Sequence, residues 1–244
     1  MRVVFFVLLV ATCIILWLDF DQLSNSQSAA PYNPQQGDTP ILPSVDRPEI
    51  NPNNPQFAPN QRVELPRETL QQPLTATLES GKKLSLQGAI DVGSFARLEP
   101  ELKRMAEYVE WVELNSPGGS VDDALALAKL VRELKLNVRV PAGGYCASSC
   151  PLIFAAGVKR DMHQRANMGV HQIYVPANDP NANRNPAQAM SDAQSITARI
   201  TKHLTEMGVD GDMWVHALET PPQRLYYFTP EEAKGFNLAT AISG

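Results

Sequence analysis

The stretch GYCASSC holds two adjacent serines, Ser148 and Ser149, between two cysteines, Cys146 and Cys150. An apolar run that begins with Pro151 follows at once, and proline is favoured in the first turn of a helix. The serines therefore stand where a loop becomes a helix, near the positive end of that helix. Two interpretations are open: a serine that caps the helix, or a serine whose hydroxyl acts as a nucleophile.

A second motif that could do chemistry is NSPGGS, from Asn115 to Ser120. Its two glycines, Gly118 and Gly119, let backbone N–H groups face outward with no side chain in the way, and the helix that follows adds its positive end. Such a turn could bind a negatively charged oxygen. A Pro-Gly-Gly sequence is also an ordinary turn, so this motif alone does not decide between the two interpretations.

The sequence around these motifs alternates between strand and helix. Residues 74–90 alternate and break at Ser80-Gly81, which predicts two strands joined by a tight turn, and residues 109–115 predict a strand that stops at NSPGGS. Helical spacing then returns from residue 121 onward. This order predicts an α/β domain with a largely parallel sheet, whose ligand sites gather at the loops after the carboxyl ends of strands. Both motifs lie at such ends.

Three motifs in one order resemble a known family. NSPGG, then G-x-x-A-S in a turn that opens a helix, then the strand MGVHQ are similar to the ClpP-type serine peptidases and, more distantly, to the signal-peptide peptidase SppA. The resemblance runs from about residue 84 to residue 238 and includes YYFTPEEAKGFNL, which looks like the closing strand and helix of the family. It implies the ClpP/crotonase-like fold, with repeated β-β-α units and a largely parallel sheet flanked by helices.

The resemblance also implies roles for single residues. Ser148 lies over the catalytic serine of the family, and His171, 23 residues further along, lies over the histidine that takes the proton of the serine. The N–H groups of Gly118 and Ser149 then form the oxyanion hole. These roles imply a serine endopeptidase that works through an acyl-enzyme and needs no cofactor.

One position departs from the pattern of the family. Leu225 stands where an ungapped alignment puts the aspartate that orients the histidine, and leucine cannot do that work. The role could pass to Asp212, Glu219 or Asp179, to a backbone carbonyl, or to no group. SppA-type relatives use a serine-lysine pair, so Lys202 on a predicted helix is an alternative base, although the local motif favours the histidine.

The cysteines allow a disulfide near the serines. Cys13 lies in the apolar leader, whereas Cys146 and Cys150 lie four positions apart across the predicted turn. In an oxidising compartment the pair could form a disulfide, and two small buried thiols are the alternative. A metal site is not expected, because no histidine lies near these cysteines at ligand spacing.

The N-terminal segment predicts export. Arg2 is the only charge before an apolar run that ends at Leu18, so residues 1–22 predict a signal anchor or a cleaved signal peptide. Residues 23–73 are rich in Pro, Asn and Gln and predict a disordered linker, with or without a spacing role. Residues 74–244 form the predicted peptidase domain. We expect it in the periplasm, tethered to the inner membrane or released by cleavage of the leader.

Three functions follow as hypotheses. The first is a membrane-tethered serine peptidase that cleaves peptides or segments of membrane proteins, and the second is a weak or inactive binding or scaffold protein with the same fold. The third is a crotonase-like enzyme that acts on acyl-CoA thioesters, against which export argues because coenzyme A is cytoplasmic. A net charge of −5 without a basic patch gives no electrostatic case for nucleic acid. The resemblance implies a homo-oligomeric ring.

Overall fold

The structure is a computed structural model that describes Thr12, residues 14–18, residues 63, 64 and 66–173, and residues 186–244. Thr12 and residues 14–18 are helical. Within these described ranges, no helix combines the length and the apolar character that crossing a membrane requires. Most of the predicted anchor at 1–22 and of the predicted linker at 23–73 lies outside the described residues.

Strands and helices alternate along the rest of the described chain. In chain order the strands are β1 Thr75–Glu79, β2 Lys83–Gln87, β3 Trp111–Asn115, β4 Asn137–Val140, β5 Tyr145–Ala147, β6 Arg160–His163, β7 Asn167–Val170, β8 Tyr226–Tyr227 and β9 Ala241–Ser243. The helices are α1 Arg67–Leu70, α2 Ser94–Met105, α3 Val121–Glu133, α4 Cys150–Ala155, α5 Pro186–Glu206, α6 Asp212–Glu219 and α7 Pro230–Gly235, and a 3₁₀ turn, Ala106–Tyr108, follows α2. The strand pair predicted at 74–90 is confirmed as the β1–β2 hairpin.

The larger sheet has six strands in the order β1-β2-β3-β4-β6-β9, and all neighbours are parallel except β1 and β2. In the central strands β2, β3 and β4, buried apolar residues alternate with half-buried residues, as in β3, where Val112 and Leu114 are buried and Glu113 is not. One face of these strands therefore carries the core, and the other face is mostly polar. The predicted α/β fold with a largely parallel sheet is confirmed.

Helix α3 shows why the chain turns where β3 ends. Ser120 caps the helix by accepting a hydrogen bond from the backbone N–H of Asp123, and the acidic pair Asp122 and Asp123 occupies the first turn, where the helix dipole favours negative charge. The face of α3 toward the sheet is apolar and fully buried at Leu127 and Val131. The cap and the buried face together fix the start of α3, and with it the NSPGGS turn.

A second sheet was not part of the sequence prediction. Its three strands have the order β5-β7-β8. Strands β5 and β7 are parallel, and strands β7 and β8 are antiparallel. A parallel bridge between Ser116 and Cys146 joins the end of β3 to β5. This small sheet brings NSPGGS, the serine-bearing segment and MGVHQ together, although the three motifs are distant in sequence.

Residues at the end of the predicted linker pack against the folded domain. Leu70 in α1 is buried in an apolar cluster with Tyr145, Leu225 and Tyr227, and Val63 packs against the same cluster. The prediction assigned these positions to the linker because its composition is poor in apolar residues. A few apolar side chains at its end are sufficient to cover the outer face of the small sheet.

Candidate active site

The structure places the hydroxyl of Ser148 next to the imidazole of His171. The distance from Ser148 Oγ to His171 Nε2 is 2.9 Å, which is hydrogen-bonding distance. Ser148 follows directly after β5 and His171 directly after β7, and these strands are parallel neighbours, so their carboxyl ends meet at one edge of the small sheet. Both residues are almost fully buried, with 2% of Ser148 and 1% of His171 exposed.

The two adjacent serines differ in what their hydroxyls contact. Ser148 faces the imidazole, whereas Ser149 Oγ donates a hydrogen bond to the carbonyl of Gly119 at 3.3 Å. Neither side chain caps helix α4, since Ser149 occupies the N-cap position without a side-chain capping bond. The capping interpretation is therefore not what the structure shows, and Ser148 is the serine whose hydroxyl faces a histidine.

The backbone of Ser148 is in the left-handed region, with φ at 63°. For a residue with a side chain this conformation costs about 1–2 kcal/mol, because Cβ approaches the following carbonyl oxygen. A hydrogen bond from the N–H of Ser148 to the carbonyl of Gly169 in β7 holds the residue there at 2.9 Å. The strained turn raises the serine side chain out of the strand and toward the histidine. We call residues 146–150 the serine turn.

The glycine turn, residues 116–120, packs directly against the serine turn. A Cβ atom on Gly118 would lie 2.6 Å from the carbonyl oxygen of Ala147, 2.6 Å from Ser148 Cβ and 2.8 Å from the backbone nitrogen of Ser149. Gly118 also has φ at 91°, so no other residue fits this position without displacing the serine turn. The close approach requires glycine for steric as well as conformational reasons.

The two predicted oxyanion donors lie on these two turns. The N–H of Gly118 donates to Ser116 Oγ at 3.2 Å, and the nitrogen of Ser149 lies within 2.8 Å of the Gly118 Cβ position. Two backbone hydrogen bonds to Ile90 fix the far side of the glycine turn. The N–H of Ile90 donates to the carbonyl of Gly118, and the N–H of Ser120 donates to the carbonyl of Ile90. Ser116 is buried, and its only signal in the sequence is its place in the NSPGGS motif.

A disulfide closes the serine turn. The structure joins Cys146, in β5, to Cys150, the first residue of α4, and both side chains are fully buried. Of the two alternatives that the sequence left open, the structure contains the bond. Cys13 lies outside the described residues.

Burial lowers the pKa of His171 from its ordinary value to about 4, and an interaction with the backbone of Gln172 acts in the opposite direction. The imidazole is therefore neutral at pH 7, which leaves it able to accept a proton from Ser148. Gln172 ties this end of β7 to α6: its side chain donates to the carbonyl of Leu218, and its backbone N–H donates to the carbonyl of Thr220. From the sequence alone, Gln172 has no predicted role of its own.

Two candidates for a third catalytic member lie within the described residues. Asp212 and Glu219 are exposed at the two ends of α6, whereas His171 is almost fully buried. Asp179 lies outside the described residues. Leu225, at the aspartate position of the family, is buried in the apolar cluster of the small sheet.

Lys202 is not beside Ser148. Its side chain is 78% exposed on α5 and lies 3.9 Å from the carboxylate of Glu206. The alternative base is therefore misplaced for proton transfer from the serine. In the described part of the chain, no group of three His, Cys, Asp or Glu side chains could hold a metal ion.

Two comparisons connect this chain to known proteins. A ClpP1 mutant from Listeria monocytogenes superposes with a TM-score of 0.50 at 19% sequence identity, over 66% of this chain and 90% of that chain. This likeness shows a shared fold. The sequence model of the Clp protease family matches residues 107–243, more than half of the chain. The predicted resemblance to ClpP-type peptidases is thereby confirmed: the chain belongs to the Clp protease family.

Proposed function

We propose that this protein is an exported, membrane-tethered serine endopeptidase that cleaves peptides or segments of membrane proteins. Ser148 is the nucleophile, His171 is the base, and the N–H groups of Gly118 and Ser149 bind the oxyanion. The observation that carries the proposal is the 2.9 Å contact between Ser148 Oγ and His171 Nε2 in a chain of the Clp protease family.

In the acylation step, Ser148 Oγ bonds to the carbonyl carbon of the scissile peptide while its proton passes to His171 Nε2. The electron pair of the carbonyl double bond moves onto its oxygen. When the double bond re-forms, the C–N bond breaks and Nε2 returns the proton to the leaving amine. Water then repeats the sequence on the acyl-enzyme, which releases the new carboxyl group and restores the serine hydroxyl.

The oxyanion is stabilised by backbone donors on two turns. One donor of this kind typically contributes about 3 kcal/mol to transition-state stabilisation. Because the N–H of Gly118 now donates to Ser116 Oγ, the substrate oxygen must share this donor or replace the serine hydroxyl as its acceptor. The nitrogen of Ser149 lies next to the nucleophile, at the start of α4.

Export is supported by the disulfide. A Cys146–Cys150 bond persists in the oxidising environment outside the cytoplasm, whereas cytoplasmic thiols are kept reduced. The apolar segment within residues 1–22 would supply the membrane tether. Carbonate extraction of membranes tests this part: the full chain stays in the membrane fraction, and a variant that lacks residues 1–22 does not. A full chain that is extracted into the soluble fraction would refute the tether.

The experiment that tests the peptidase is labelling with a fluorophosphonate, which reacts with an activated serine. We expect the wild-type protein to be labelled and Ser148→Ala to lose labelling completely while its circular dichroism spectrum stays unchanged. His171→Ala should lower the rate constant by about 10²–10⁴-fold, because it removes the general base. Lys202→Ala is the matched control on an exposed side chain and should label at the wild-type rate.

The scaffold hypothesis is the alternative outcome of this test. It is favoured by Leu225, which lies in the apolar cluster and leaves the family's aspartate position without a carboxylate. Absence of labelling in folded wild-type protein would refute the peptidase and leave the binding or scaffold hypothesis. Sedimentation equilibrium of the same sample tests the homo-oligomer, which stays a prediction.

A further inference from the structure

The serine turn contains no residue that by itself favours the conformation the site needs. Ser148 has φ at 63°, and its neighbours Ala147 and Ser149 also carry side chains. Left-handed backbone is adopted readily by glycine and only at a cost by serine. Surrounding structure must therefore hold Ser148 in place, and the disulfide is the covalent part of that structure.

The disulfide spans the strained residue symmetrically. Cys146 lies two positions before Ser148 and Cys150 two positions after it. Cys146 is fixed in the small sheet, paired with Met168 on one side and bridged to Ser116 on the other. Cys150 begins α4. The bond therefore ties the start of the helix to the sheet and closes a ring of residues 146–150, with Ser148 at its middle position.

A bond across so short a segment affects the local turn more than global stability. The stabilisation that a disulfide provides grows with the length of the chain it closes, and this ring contains only five residues. The nucleophile, by contrast, lies inside the ring. Small displacements of a reacting group have large effects on rate, since catalysis requires the two atoms to stay in hydrogen-bonding geometry.

We propose, on the basis of the proposed function, that the Cys146–Cys150 disulfide positions Ser148 and makes the peptidase active only after export. In the reducing cytoplasm the two thiols leave the serine turn free to relax. In the oxidising compartment the thiols lose two protons and two electrons to form the bond. A disulfide of an exchange oxidant accepts the electrons and becomes two thiols. The cysteines are positioning residues that act through the serine.

The fluorophosphonate rate constant and the melting temperature, measured together, test this proposal. Oxidised wild-type protein is compared with Cys146→Ala/Cys150→Ala and with Leu102→Ala, a cavity variant in the core on α2, more than forty positions before the serine turn. We expect the double cysteine variant to label at least tenfold more slowly at a temperature where all three proteins are folded. Leu102→Ala should lower the melting temperature by several degrees and keep the wild-type labelling rate.

Reduction of the wild-type protein supplies a second measurement that needs no variant. The protein is equilibrated in buffers that contain a dithiol and its oxidised, disulfide form at a series of ratios. The fraction of protein that carries the disulfide is measured by alkylation of free thiols and mass spectrometry. Labelling is measured on the same samples. Labelling should follow the bonded fraction and return when a disulfide oxidant re-forms the bond. The return of labelling separates positioning from irreversible damage. Circular dichroism of the reduced samples identifies unfolding, because an unfolded protein loses the spectrum of the folded state.

The outcomes distinguish the two proposals. If oxidised wild-type protein is labelled and both the reduced protein and the double cysteine variant label equally fast, the disulfide does not position the serine, and the peptidase stands. If oxidised wild-type protein is not labelled at all, the peptidase and the role of the disulfide both fail.

Discussion

The two halves of the candidate site are held in different ways. The serine turn is fixed by covalent and steric constraints: the disulfide closes it, Gly118 packs against it so closely that a Cβ atom there would lie 2.6 Å from Ser148 Cβ, and Ser148 is held in a left-handed conformation. The histidine half, residues 170–172 at the end of β7, is fixed by hydrogen bonds from Gln172 to α6 and by burial.

The difference shows that the position of Ser148 and the basicity of His171 are set by separate features of the structure. On the serine side, backbone conformation and the disulfide determine where Ser148 and the N–H groups of Gly118 and Ser149 lie. On the histidine side, burial lowers the pKa of His171 to about 4, so the base is neutral at pH 7 and weaker than an ordinary histidine. We therefore expect a well-ordered nucleophile combined with a slow proton transfer.

Apart from substitution of Ser148 or His171 themselves, the largest effect is expected when a methyl group is added to Gly118, next to the serine turn. Gly118→Ala places Cβ against Ala147, Ser148 and Ser149 and requires a positive φ, so both turns must shift. We expect fluorophosphonate labelling to fall by about 100-fold or more, the loss typical of removing one oxyanion donor. Gly211→Ala is the control, because Gly211 has φ at −61° and no atom within 4 Å of its Cβ position. Equal rates for both variants would contradict the close packing.

The pH profile of labelling tests the histidine half. Only neutral His171 can accept the proton, and its pKa of about 4 predicts a rate that changes less than about twofold between pH 8 and pH 5. A histidine with the ordinary value would lose about 30-fold over the same interval. The measurement is the labelling rate constant in buffers of constant ionic strength. A midpoint near 6.5 would show that the imidazole is not desolvated.

Stability should depend on pH through the same residue. The folded protein keeps His171 neutral down to about pH 4, whereas the unfolded chain protonates it near 6.5, so the unfolded state takes up more protons in that window. The free energy of unfolding should therefore fall by about 2 kcal/mol from His171 between pH 8 and pH 5. Burial also lowers the pKa of His203, which adds to the fall. Urea titrations of His171→Gln should show a smaller decrease, and an identical decrease would contradict the assignment.

The smallest effect is expected at the link between β7 and α6. Gln172→Ala removes the side-chain hydrogen bond to Leu218 and keeps the backbone bond to Thr220, so the histidine half loses one of its two ties. We expect labelling to fall about threefold and stability to fall by about 1 kcal/mol. Gln188→Ala, which removes a comparable exposed bond to Asp192 on α5, should leave labelling unchanged. A larger loss in Gln188→Ala would show that the link is not specific.

Much of the fold was accessible from residue patterns. Alternation with a break at Ser80-Gly81 identified the hairpin, and the turn chemistry of NSPGGS located the junction of β3 and α3. Both signals are local, because strand alternation and helix capping depend on residues that are near neighbours in sequence. The second sheet and α1 had no such signal: β5 and β8 are three and two residues long, and α1 is four.

The sequence by itself determined the three motifs, their order and the chemistry that their residue types allow. Only the tertiary structure decided which serine faces the imidazole, that the two cysteines are bonded, and that the side chain of Lys202 is exposed to solvent. The physical reason is that these facts depend on which strands become neighbours and how a strained turn is oriented. Pairing of β5 with β7 joins residues more than twenty positions apart, and no local pattern encodes that distance.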